Sequence, residues 1–166
     1  MKITDIREVK ESATVLFDEK WALITAGNKE SFNTMTASWG GLGELWNKDV
    51  CFVFIRPQRY TYEFTEREEY FTVSFLLEEY RKALTFCGRN SGRDCNKVKE
   101  AGLTPAEFEK SMGFEESEIT VLCRKLYHQD INPEGLADKS IDSTCYPDKD
   151  YHRMYIGEIV KVFIKE

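Results

Sequence analysis

Apolar residues in this chain fall in short runs separated by turn formers, a rhythm of strands rather than of long helices. Trp21-Ala22-Leu23-Ile24-Thr25-Ala26 is stopped by Gly27-Asn28 and predicts a buried strand followed by a turn. Phe32 to Trp39 predicts a second strand, closed by Gly40, Gly41 and Gly43. Asp49 to Arg56 (DVCFVFIR) is a third, rich in β-branched and aromatic residues and ended by Pro57. Tyr70 to Leu76 is a fourth, and Ile119 to Tyr127 and Tyr151 to Ile164 are the last. Helical spacing is confined to Tyr60–Glu68, with Tyr60 and Phe64 on one face, and to Glu78–Cys87, where Gly88 suits the C-terminal cap. Two shorter helices are expected, one capped by Asp94 and ending near Ala101-Gly102, the other starting at Thr104-Pro105. Many short strands with few crossover-length helices favour an antiparallel barrel or sandwich over a doubly wound sheet.

No repeat or linker divides the 166 residues, so 1–166 reads as one domain. With 42% hydrophobic and 13% aromatic residues, the chain has ample core material, which excludes a disordered class. No apolar run approaches the ~20 residues that span a bilayer. Met1 to Thr14 is charged and lacks an apolar stretch of the export type, so a cytoplasmic location is expected. The net charge of −6 turns the surface away from nucleic acid and anionic membranes unless a local basic patch overrides it. Five Cys in no Cys-x-x-Cys pair, with only His128 and His152, predict reduced thiols and no zinc site.

Chemistry-bearing stretches are few. Gly40-Gly41-Leu42-Gly43 follows a strand but lacks the third glycine of a dinucleotide fingerprint, and neither a Walker loop nor a Gly-x-Ser-x-Gly elbow is present. In Asn33–Trp39, alternation puts Thr34, Thr36 and Ser38 on one face and Asn33, Met35, Ala37 and Trp39 on the other. Three hydroxyls in register suit a flat polar ligand, and Trp39 offers it a packing surface; a solvent-facing edge strand would look the same. Arg56, Arg59, Tyr60 and Thr61 sit where a strand passes into a helix. Two guanidiniums beside helix N-terminal amides suit a phosphate, and equally an ordinary helix start with surface arginines. Cys87 to Lys97 is a polar loop running into a helix, with Lys97, assisted by Arg93, as an anion-facing candidate, or else a plain capped loop. Cys87 and Cys95 read as reactive thiols or as small buried hydrophobes. His152 stands before a strand and reads as a structural or a functional imidazole.

Together these runs resemble the flavin reductase-like family with an FMN-binding split barrel, in its flavoredoxin-like branch. The matching stretches are NTMTASWGGLG (33–43), RPQRYT (56–61), YFTVSFL (70–76), CGRNSGRDCNK (87–97), AGLTP (101–105) and DYHRMYIGE (150–158), in family order. The resemblance implies a mainly β, Greek-key split β-barrel that forms a homodimer and binds one FMN per subunit near the interface. It implies that Asn33, Thr34, Met35, Thr36, Ser38 and Trp39 run along the cofactor and that Arg56, Arg59, Tyr60 and Thr61 hold its phosphate side. Lys97 matches a basic residue that meets the cofactor, and Cys87, Ser91 and Arg93 lie with it. One departure is Asn96, where the branch usually has an acid. The activity implied is FMN-dependent oxidoreduction, with NADH or NADPH as donor and a small molecule or protein as acceptor. The alternative is an electron carrier between protein partners with no nicotinamide site. His152 is assigned a nicotinamide-side or gating role, and no metal is expected.

Overall fold

In the computed structural model, which describes residues 1–166, ten strands take up the apolar runs: β1 (Lys2–Thr4), β2 (Ala22–Gly27), β3 (Phe32–Ala37), β4 (Gly40–Leu45), β5 (Lys48–Ile55), β6 (Tyr70–Leu76), β7 (Pro105–Phe108), β8 (Ser111–Phe114), β9 (Ser117–Asp130) and β10 (Arg153–Ile164). Four helices join them: α1 (Tyr60–Arg67), α2 (Arg81–Arg89), α3 (Lys97–Glu100) and α4 (Ser140–Cys145). A π-helical turn at Val15–Lys20 precedes β2. No helix is long and apolar enough to cross a membrane.

Eight strands form one sheet in the order β3-β2-β6-β9-β10-β5-β4, with β1 added beside β10, and the paired strands run antiparallel. Tight hairpins explain much of that order. β4 and β5 turn at Trp46 and Asn47, both at positive φ (57° and 58°), which matches the twist of a two-residue hairpin. The strands at the two ends of the order, β3 and β4, are consecutive in the chain. Only Ser38 and Trp39 lie between them, so the sheet curls until its two free edges meet at a seam there.

The inward side is apolar, as alternation demands. Ile24 of β2, Met35 of β3, Cys51, Val53 and Ile55 of β5, Phe71, Val73 and Phe75 of β6, and Val121 of β9 share one buried cluster with Phe17 and Phe64. α2 lies on the outer face, where Leu84 and Cys87 pack with Leu23 and with Phe114 of β8.

Four sequence expectations are corrected. Gly40, Gly41 and Gly43 do not simply close the second strand: Gly40–Leu45 is itself a strand, because β5 supplies its partner. Thr104-Pro105 opens no helix: Pro105–Phe108 is β7, an edge position that tolerates proline, paired with β8. Asp94 caps nothing; Asn96 is the N-cap of α3 and accepts the Lys99 amide through its side chain at 3.2 Å. Gly88 is also not a cap, since α2 runs on to Arg89. It faces β3, where a Cβ would sit 3.4 Å from Thr36 Cβ.

Candidate functional site

The seam is where the candidate residues gather. A cleft of about 190 Å³ there is lined by Met35, Thr36, Ala37, Ser38, Trp39, Phe54, Arg56, Arg59 and His152. A second hollow of about 240 Å³ adjoins it, sharing Thr36 and Ser38 and adding Trp21, Leu84, Thr85, Gly88 and Arg89. Neither alone reaches the roughly 300 Å³ of a small-molecule site, but joined along β3 they do. β3 has a strand neighbour on one side only, so alternate main-chain N–H and C=O groups face the seam without a sheet partner.

Aromatic rings floor the cleft. Trp39 is 45% exposed and lies against His152 with ring centroids 4.9 Å apart. His152 is buried, and its Nδ1 is 2.9 Å from the Tyr146 hydroxyl. At the far side, Trp21 is held at φ 64°, strained for a non-glycine residue, under Arg81, whose guanidinium lies 3.8 Å from the indole centroid. Arg81 also donates to the Lys20 carbonyl at 3.2 Å, which closes the π-helical turn over the strain.

Two guanidiniums mark one end. Arg56 donates to Asp150 and, at 2.8 Å, to the Cys145 carbonyl. Arg59 donates to the Gly88 carbonyl at 2.8 Å, at the C-terminal end of α2. Each arginine has five N–H donors, so both keep donors to spare. α1 begins immediately after Arg59, with no side-chain cap on its first amides. Asp150 pairs with Arg56 and Arg59 has no carboxylate partner, so two guanidiniums face one carboxylate and the local field stays positive. Burial first, then Arg56, holds the Arg59 pKa down. His152 is pushed down to about 4, by burial first and then by Arg56, with Asp150 pulling the other way.

The other predicted residues lie behind the cleft or beside it. Thr34 belongs to no hydroxyl wall: it is fully buried, shares a 2.8 Å hydrogen bond with Thr25 and donates to the Ile24 carbonyl. Thr36 donates to the Leu84 carbonyl. Asn33 and Thr61, both buried, are joined at 2.7 Å from Nδ2 to Oγ1. They brace β3 against α1. Gly92 closes on this pair, since a Cβ there would lie 2.0 Å from Asn33 Oδ1. Asn33, Tyr60, Arg93, Cys95 and Lys97 line a separate, polar hollow of about 510 Å³.

The four basic residues that the resemblance assigns to one cofactor are therefore divided between two hollows. Arg56 and Arg59 face the seam, while Arg93 and Lys97 belong to the neighbouring hollow. Arg93 pairs with Glu63, donates to the Gln58 carbonyl and stacks 4.6 Å above the Tyr60 ring, which turns it away from the seam. Ser91 is used inside its loop, accepting the Arg93 amide. Lys97 is 4% exposed and donates at 3.0 Å to the carbonyls of both Cys87 and Asn90, satisfying the end of α2. Burial, then Arg59, lowers its pKa to about 8, so it is still a cation at neutral pH. It reaches a ligand only by giving up those carbonyls.

Cys87 is buried, and burial pushes its thiol up to about 11, so it is no nucleophile. Iodoacetamide at pH 8 is expected to label the half-buried Cys95 and Cys145 well before Cys87, Cys51 or Cys123, as read by peptide mass mapping. Prompt labelling of Cys87 would refute this.

Sequence reasoning missed Tyr146, Asp150 and Phe54. Phe54 was readable, since alternation in DVCFVFIR sends Cys51, Val53 and Ile55 inward and Phe54 outward. Tyr146 and Asp150 lie in the 131–152 connection between β9 and β10, which has no periodicity to read.

The model of the flavin reductase like domain matches residues 16–166. No curated protein matches the chain. Among solved structures, a flavoredoxin from Methanosarcina acetivorans aligns with a TM-score of 0.70 at 19% identity, covering 89% of this chain and 69% of that one. The flavoredoxin of Desulfovibrio vulgaris (Miyazaki F) aligns at 0.69 and 22%, covering 100% and 78%. An FMN-binding domain of a flavin reductase-like enzyme from Shewanella baltica aligns at 0.70 and 16%, covering 98% and 76%. At such identities the likeness establishes the fold, a mainly β split barrel, as the sequence led one to expect.

Proposed function

This chain belongs to the flavin reductase like domain family, and on that premise we propose that it binds FMN at the seam and works as an FMN-dependent oxidoreductase. The observation that carries the reading is the cleft itself: an acidic chain of net charge −6 sets Arg56 and Arg59 side by side at the end of a slot floored by Trp39 and His152. FMN is a dianion with a flat ring that is polar along one edge, and the donor set fits it. Arg56 and Arg59 meet the phosphate charge. Thr36, Ser38 and the free main-chain groups of β3 meet the polar edge, and Trp39 packs on the flat face. When bound, FMN supplies a ring that takes hydride from NADH or NADPH and passes electrons on to an acceptor. The chain's own part is to seat, orient and desolvate it; no side chain need act as a general acid.

We propose in addition that the protein is a homodimer. Trp46 (54% exposed) and Tyr127 (41% exposed) meet edge to face at 6.2 Å, and both stand exposed on the part of the sheet formed by β4, β5, β10 and β9. Exposed aromatics of this kind mark interaction surfaces. A second copy seated beside Trp39 would cover the open side of the slot.

The test is anaerobic mixing of the flavin-loaded protein with NADH and, separately, NADPH. Loss of the yellow absorbance with either donor is the expected result. An unbleached flavin with both removes the nicotinamide, and bleaching by a reduced ferredoxin alone would make the protein an electron carrier. Purified protein that is colourless and takes up no added FMN overturns the reading of the site.

A further inference from the structure

We propose that Tyr146 is a positioning residue that fixes His152 as a neutral imidazole with its proton on Nε2, the ring edge presented to the cleft. Nothing in the sequence marked Tyr146: it follows α4, in the connection between β9 and β10. Its hydroxyl is 2.9 Å from His152 Nδ1, and the two residues are only 3% and 8% exposed. The polarity of that bond follows from proton accounting. The phenol proton has no acceptor other than Nδ1. Were Nδ1 the donor instead, a buried hydroxyl proton would go unmatched. Tyr146 must donate, so Nδ1 is bare and Nε2 carries the hydrogen. His152 lines the cleft and Tyr146 does not, which puts the Nε2 edge on the ligand side.

The surroundings keep that ring uncharged. Arg56 and Arg59 face it from the junction of β5 and α1, Asp150 and Tyr146 from its own connection, and Trp39 covers it from the seam. Two guanidiniums against one carboxylate, which is itself bonded to Arg56, oppose a third positive charge. His152 therefore offers the cleft an N–H donor that does not change charge between pH 5 and 8. Tyr146 is pinned in turn by Arg56, 5.3 Å above its ring. The same arginine that meets the phosphate in the FMN reading thus holds the residue that orients the imidazole.

The use of this N–H in flavin reduction rests on the FMN reading, whereas the proton position does not, so the two are tested separately. Nitrogen-15 spectra of the protein without added flavin, with His128→Gln to assign the two imidazoles, are expected to show an unprotonated Nδ1 and a protonated Nε2, unchanged from pH 5 to 8. A proton on Nδ1, or an imidazolium in that range, overturns the proposal. Tyr146→Phe keeps the ring that packs under Arg56 and removes only the donor. It is expected to give a mixture of the two neutral forms and to move the imidazole's protonation upward, because the bond that favoured the neutral form is gone. In the flavin-loaded variant, bleaching by the nicotinamide donor is expected to slow about tenfold with KM changed less than twofold. A variant with wild-type nitrogen spectra overturns the proposal. Wild-type spectra as expected in a protein that takes up no FMN would instead overturn the reading of the site and leave the proton position standing.

Discussion

Arg59→Met is expected to raise the dissociation constant for FMN about a hundredfold, measured by the quenching of flavin fluorescence on titration. Arg59 offers spare N–H donors to an anion at a half-buried position, and two charge-assisted hydrogen bonds are worth about 3 kcal/mol together, or two decades in affinity. Methionine keeps the unbranched stem, so packing is largely retained. The folded state should lose about 1 kcal/mol as well, since the Gly88 carbonyl at the end of α2 loses its donor. Binding to the wild type should weaken as salt is raised, and less steeply in the variant. A dissociation constant within threefold of wild type would take the phosphate away from this end of the cleft.

The second large effect concerns folding alone. Gly157→Ala is expected to destabilise the protein by about 3 kcal/mol and to lower Tm by about 6–12 °C. Gly157 lies in β10 beside an irregularity in its pairing with β9. A Cβ there would meet Phe71 Cζ at 2.7 Å and Cys123 Cβ at 2.8 Å, and both neighbours are sealed in the core at 1% and 0% exposure. Neither can step aside without moving its strand. Gly135→Ala is the control, because nothing lies within 4 Å of that position, and it should change stability by no more than about 0.5 kcal/mol. Trimming the obstacle with Phe71→Leu in the Gly157→Ala background should restore part of the loss. Wild-type stability of Gly157→Ala in urea would contradict the close packing.

Much of the sheet was legible because its inward face repeats every second residue. Tyr70–Leu76 is observed with its predicted ends, and α1 begins at Tyr60 as expected. What escaped has a common cause. β4 carries three glycines and a half-exposed Leu42, so its identity as a strand comes from pairing with β5 and not from its own pattern. β7 and β8 are four residues each and are defined only by each other. Within β3 the alternation holds, Met35 and Ala37 against Thr34 and Thr36, but which side chains meet water depends on distant contacts: α2 takes up Thr36 across some fifty residues, and Thr25 with the Ile24 carbonyl takes up Thr34, which was therefore misplaced in an open wall. The division of the basic residues was hidden for the same reason. Lys97 and Arg59 both answer to the carbonyls of α2, and sequence distance does not reveal that shared demand.

The meeting of β3 and β4 has a consequence for how the chain behaves when nothing fills or covers the seam. Open strand edges are templates on which other chains can add, and here two of them are brought to one place by the two-residue link Ser38-Trp39. A ligand and a second copy lying over that link would cap both templates at once. On the proposed reading, colloidal behaviour and seam occupancy are thereby tied together: a preparation with the seam empty is the one in which strand addition between molecules, and with it slow precipitation, would have somewhere to start.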